Sequence, residues 1–166
     1  MKLVSLVAAL ACTLALTAAQ AASSQNGTKI VGTFQDVAFV FPPTAACAAE
    51  TLFEVDFSLV SPQGNLLGAG TSCVQGWAGV PCPEVAPPGC HQTTLATFTF
   101  TFAEGSITAP MTLDETFVGG GGVVQHGHGQ IAGGTGAYAG ATGSIQDNGI
   151  ISFTAGLHLT FVVRVG

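Results

Sequence analysis

The chain has 166 residues, of which 48% are hydrophobic and only 7% charged, and its formal net charge is −6. Three basic residues against nine acidic ones exclude a nucleic-acid partner, because holding phosphates needs clustered Lys and Arg. Docking to an anionic membrane surface is excluded too, since no basic amphipathic segment is present.

The N-terminus opens with Lys2, an apolar run over residues 3–16, and Ala19-Gln20-Ala21 in the small-x-small pattern of a cleavage site. This predicts a signal peptide over residues 1–21 and a secreted, extracellular single domain over residues 22–166. The run is too short for a transmembrane helix, which needs roughly 20 apolar residues, and no membrane span is expected. Cys12 leaves with the signal. Cys47, Cys73, Cys82 and Cys90 remain, an even number that in an exported chain reads as two disulfides with three possible connectivities; free buried thiols are the alternative. Asn26-Gly27-Thr28 forms an N-glycosylation sequon.

Apolar residues recur with period two and no segment carries a helical period, so the expected class is all-β. Turn residues divide the chain into eight strands. The first covers residues 29–41 and stops at Pro42-Pro43; the second covers 51–60 and the third 66–75. A long loop over 76–91 carries Trp77, four prolines and two of the cysteines. The fourth strand covers 92–103, the fifth 106–117, the sixth 123–132, and the seventh 142–146. Asp147-Asn148-Gly149 reads as a hairpin turn into the last strand, 150–165. In an up-and-down meander the first and last strands are antiparallel and can pair, which closes an eight-stranded barrel and removes its edges. All four cysteines then fall at one rim. A barrel of this size is either packed solid or holds one small ligand.

Several side chains are candidates for chemistry, each with a plainer alternative. Asp36, in the apolar first strand, could act as a catalytic acid if it faced a cavity, or be the solvated half of the alternation. Glu54 and Asp56 share one face of the second strand, their Cα atoms roughly 7 Å apart, and could hold a cation or face water. Asp114 and Glu115 point to opposite faces and make no pair. His126 and His128 lie on one side of a strand, but zinc needs a third protein ligand and none is indicated, so no metal is expected. No nucleophile elbow is present and no cofactor motif is found. Phe53, Phe57, Phe98 and Phe100 fill the interior or, if a void remains, face a flat apolar ligand. Trp77 is a candidate recognition anchor at the rim.

Residues 119–143 contain eleven glycines. The segment Gly133-Gly134-Thr135-Gly136-Ala137-Tyr138-Ala139-Gly140-Ala141-Thr142-Gly143 resembles the glycine-rich signature of the dirigent and allene oxide cyclase-like barrel proteins. The stretch over residues 100–108 resembles the hairpin that precedes that signature, and residues 64–68 resemble a further turn of the family. The resemblance is good over residues 96–144. It implies an eight-stranded antiparallel up-and-down barrel, commonly trimeric, whose cavity takes a hydrophobic lipid-like or phenolic molecule. It further implies cofactor-free cyclisation or coupling, with Asp36 standing where dirigent proteins carry an acid near the end of the first strand, and Tyr138 among the ligand-binding aromatics. The expected function is therefore a secreted barrel that binds a hydrophobic small molecule and guides its cyclisation or coupling. The alternative is a non-catalytic structural or cell-surface barrel acting through oligomer surfaces.

Overall fold

The computed structural model describes residues 27–152 and 156–166. The signal segment, Cys12 and Asn26 lie outside the described residues.

Eight long strands close into one antiparallel barrel: β1 (Thr28–Val40), β2 (Phe53–Val60), β3 (Leu66–Trp77), β4 (His91–Phe102), β5 (Gly105–Val118), β6 (Gly122–Gln130), β8 (Gly143–Ser152) and β9 (Gly156–Val165). Consecutive strands pair, and β1 pairs with β9 to close the ring. β6 accompanies β5 only as far as Met111. The start of β5 is covered instead by a two-residue strand, β7 (Gly133–Gly134), which runs into a turn of 3-10 helix at Gly136–Tyr138. These strands form for the reason the alternation implies. In β2, β4 and β9 the alternate positions that turn inward are aromatic or aliphatic, as in Phe53, Val55 and Phe57, Phe98, Phe100 and Phe102, and Phe161, Val163 and Val165.

One half of the interior is filled. Phe100, Phe161, Leu59, Ile107, Ile145, Val163 and Val165 are fully buried there. Phe34 stacks on Phe161 with ring centroids 5.2 Å apart and meets Phe57 at 4.5 Å. The glycine-rich corner folds under this half as its floor, where Tyr138 packs against Phe102 at 5.6 Å. Glycine is required at two crossings. A Cβ on Gly136 (φ +57°) would lie 2.2 Å from the Glu104 carbonyl oxygen, and one on Gly105 (φ +150°) 2.1 Å from that of Thr135. The corner therefore presses backbone against backbone across the β4–β5 hairpin.

The other end is the mouth, and the cysteines gather there in two disulfides, Cys47–Cys73 and Cys82–Cys90. The first clamps the β1–β2 loop to the outside of the barrel. Cys73 is the cross-strand neighbour of Glu54, and Glu54 accepts hydrogen bonds from the Thr44 backbone N–H (2.5 Å) and hydroxyl (3.0 Å). The second disulfide closes a short loop ahead of β4.

Two expectations are corrected by the strand register. Asp147-Asn148-Gly149 is no turn: β8 runs through it, with Asn148 opposite Thr160 and Gly149 opposite Leu159. Gly149 is needed for close approach instead, since a Cβ there would lie 2.0 Å from the His158 carbonyl oxygen. Asp36 is not carried inward by the alternation. A β-bulge between Gln35 and Ala38 inserts one residue, and Asp36 takes it in the left-handed region (φ 51°), which Asp tolerates better than most side chains. The bulge re-phases the strand, so Phe34, Val37 and Phe39 share the inner side while Asp36 is exposed.

Candidate functional site

Above the filled half, the mouth end encloses a cavity of about 200 Å³. Its wall is largely aromatic, with Phe34, Phe53, Phe57, Phe98, Phe39 and Trp77 all contributing. Two bulges shape this wall. That in β1 delivers Val37 and Phe39. A second, between Val74 and Gly76 in β3, brings Trp77 opposite Thr94 and so to the cavity side of the rim. Phe39, Phe41 and Trp77 are exposed at the opening, as are Val80 and Val85 of the neighbouring loop.

The remaining wall is polar and is built by β4, β5 and β6. Glu115 of β5 lines the cavity beside Gln92, Thr94 and Gln125. Its Oε2 accepts from Gln92 Nε2 at 2.7 Å and from the Thr94 hydroxyl at 2.8 Å. Gln92 is oriented from its other side, where its Oε1 accepts from the Cys82 backbone N–H at 3.0 Å. A backbone N–H only donates, so this contact turns the amide nitrogen toward Glu115. The loop closed by Cys82–Cys90 thus holds Gln92, and Gln92 holds the carboxylate.

Deeper by one residue row lies Asp147 of β8, 3% exposed. Its Oδ1 accepts from Gln125 Nε2 at 2.9 Å, while its Oδ2 is buried with no hydrogen-bond partner. Burial pushes its carboxyl up to about 6. The Gln125 amide and the Gly127 backbone N–H pull it down, the Glu115 charge adds to the rise, and His126 offsets it slightly. Gly127, the cross-strand neighbour of Asp147, makes the space: a Cβ there would lie 2.4 Å from Asp147 Oδ2. Glu115 and Asp147 thus bring two carboxyls to one side of the interior, with Gln125 bonded to Asp147 and standing cross-strand from Glu115. Among the described residues neither is paired with a lysine or arginine. Lys29 and Arg164 face each other across β1 and β9 at the floor end, where Arg164 donates to Gln146 at 3.0 Å.

Phe53, Phe57, Phe98 and Trp77 line the cavity, but two other aromatics singled out from sequence do not. Phe100 is sealed below it in the packed half, and Tyr138 belongs to the floor. Asp36 lies outside, near His158 and Thr160. Glu54 is the buried anchor of the β1–β2 loop, and Asp56 accepts from the Thr71 hydroxyl at 2.8 Å on the outer face. His126 and His128 lie with Gln146 and Asn148 along an open depression on the outer face. No group of three or more His, Cys, Asp or Glu able to hold a metal occurs among the described residues.

Glu115 and Asp147 escaped the sequence reading for different reasons. The adjacent pair Asp114-Glu115 draws the eye to opposite faces, although the alternation Leu113, Glu115, Phe117 puts Glu115 on the inner face. Asp147 was hidden by a turn-like triplet, although Ile145, Asp147, Gly149 and Ile151 keep the same alternation.

The chain matches no protein-family model and no curated protein sequence. Among solved structures it is similar to one described as pyocyanin demethylase, at 18% identity and a TM-score of 0.46, over 84% of this chain and 100% of that one.

Proposed function

We propose that this is a secreted barrel that binds one small, largely aromatic molecule in its mouth cavity. The observation that carries the reading is the cavity itself: an aromatic wall around about 200 Å³, open at one end. An apolar cavity of about 150 Å³ is enough to hold benzene, so this one suits a one-ring or compact two-ring molecule. Two disulfides at the mouth support export, because such bonds persist in oxidising compartments. No helix among the described residues is long and apolar enough to cross a membrane.

Guided cyclisation or coupling belongs to the same proposal and rests on the dirigent-like resemblance. The signature glycines support that resemblance by crossing backbones at the floor; Glu115, rather than the exposed Asp36, is the acid such chemistry would meet. Assembly into a trimer has the same standing, drawn from low charge and resemblance, and a monomer mass by light scattering would remove it. The rival reading, a structural barrel acting through its outer surface, draws on the packed lower half.

Native mass spectrometry of protein purified from its own source, with extraction of any bound compound, separates the two readings. A stoichiometric aromatic or lipid-like ligand is the expected result. An empty barrel that also ignores a panel of one- and two-ring compounds would overturn the binding reading.

A further inference from the structure

The polar wall of the cavity is asymmetric in what it offers. Three of its donors turn inward: the Thr94 hydroxyl and one Gln92 amide N–H give to Glu115 Oε2, and one Gln125 amide N–H gives to Asp147. What remains are neutral groups, the Ser72 hydroxyl and the unused amide atoms of Gln92 and Gln125, and one charged side chain, Glu115, on a cavity whose other wall is aromatic. No lysine or arginine among the described residues supplies a counter-charge, since both lie at the floor end. The histidines do not supply it either. His91 stands exposed at the start of β4, while His126, His128 and His158 belong to the outer face. A carboxylate beside apolar rings is costly without a partner, and cations are attracted to aromatic faces. One group satisfies both walls.

We infer that the ligand of this cavity is a protonated aromatic amine, its ring against Phe34, Phe57 and Phe98 and its ammonium on Glu115. The inference rests on the binding reading above and names its ligand class. Asp147 contributes as a second negative charge one row deeper, joined to the wall through Gln125. An anionic ligand would meet two carboxyls and no positive charge. A neutral one would give Glu115 a hydrogen bond but no counter-charge, leaving the carboxylate uncompensated beside the rings.

The test uses matched probes: benzylamine, benzyl alcohol and benzoate, with 2-naphthylmethylamine, 2-naphthalenemethanol and 2-naphthoate as the two-ring set. Binding is read by calorimetry at pH 7, and by the fluorescence of Trp77, the one tryptophan of the chain. The expected result is that each amine binds about tenfold or more tighter than its alcohol, with the carboxylates weakest. Glu115→Gln should bring the amine's affinity down to within about threefold of its alcohol's in the same variant, whereas Asp114→Asn, on the outer face of the same strand, should keep the wild-type ratio of amine to alcohol. Alcohols binding as tightly as amines would overturn the inference and leave the cavity reading standing; this comparison needs only the wild-type protein. An amine advantage that survives in Glu115→Gln would overturn it as well. If no probe of either set binds, the cavity reading falls and the inference falls with it.

Discussion

Asp147→Asn isolates what a buried carboxyl costs this barrel. The carboxyl of Asp147 is raised from 3.8 to about 6, chiefly by burial. Each unit of such a shift corresponds to about 1.4 kcal/mol, so the folded state is penalised by roughly 3 kcal/mol once Asp147 is ionised. The direction follows from proton linkage. Between about pH 4 and pH 6 the folded protein holds this proton while the unfolded chain has released it, so stability falls as pH rises through that window and stays lower above it. Asparagine keeps the acceptor for Gln125 but cannot ionise. Urea unfolding with disulfides intact, at pH 3.5 to 8, should therefore show the wild type losing about 3 kcal/mol relative to Asp147→Asn across the window. Glu115 and His126, the other titratable groups acting on Asp147, are present in both proteins and largely cancel. A difference between the two proteins that is flat with pH would refute the reasoning. So would one of opposite slope, which would mean that Gln125 and the Gly127 N–H stabilise the carboxylate more than burial penalises it.

Other substitutions test the packing around the site. Phe100→Ala, in the sealed lower half, should cost about 3–5 kcal/mol in urea unfolding, and a loss under 1 kcal/mol would mean that this half is not close-packed. Gly127→Ala drives a methyl into the Asp147 carboxyl and should cost about 1–3 kcal/mol; in an Asp147→Ala background the same change should be nearly free. Replacing Cys47 and Cys73 by serine opens a loop of sequence separation 26, and replacing Cys82 and Cys90 one of separation 8. Loop-closure entropy gives losses of about 3.5 and 2.5 kcal/mol, so the first pair should lower the urea midpoint more.

Much of the fold was legible because strand alternation and closure are local consequences of side-chain pattern. The run Phe98, Phe100, Phe102 pointed inward as its period required, and the cysteines fell at one rim once the meander was followed. What was not legible depended on single inserted residues. The bulge at Asp36 reverses the facing of everything after it, so the strongest catalytic candidate moved outside while Phe39 moved in. The spacing Phe34, Val37, Phe39, three and then two, was the available sign. Asp147-Asn148-Gly149 carries the residues of a tight turn, yet pairing with β9 overrode that local preference. The polar wall was harder still. Gln92, Thr94, Glu115 and Gln125 come from three strands, and only the register, with Glu115 opposite both Gln92 and Gln125, brings them together.

The packed floor has a kinetic consequence. With Phe100, Phe161 and Tyr138 closing the lower end, whatever occupies the cavity enters and leaves through the same opening between Phe39 and Trp77. A newcomer has no rear passage from which to push a resident out. The escape rate of a bound molecule should then be indifferent to how much competitor surrounds the protein, and turnover of the contents is set by how often the rim lets one molecule go.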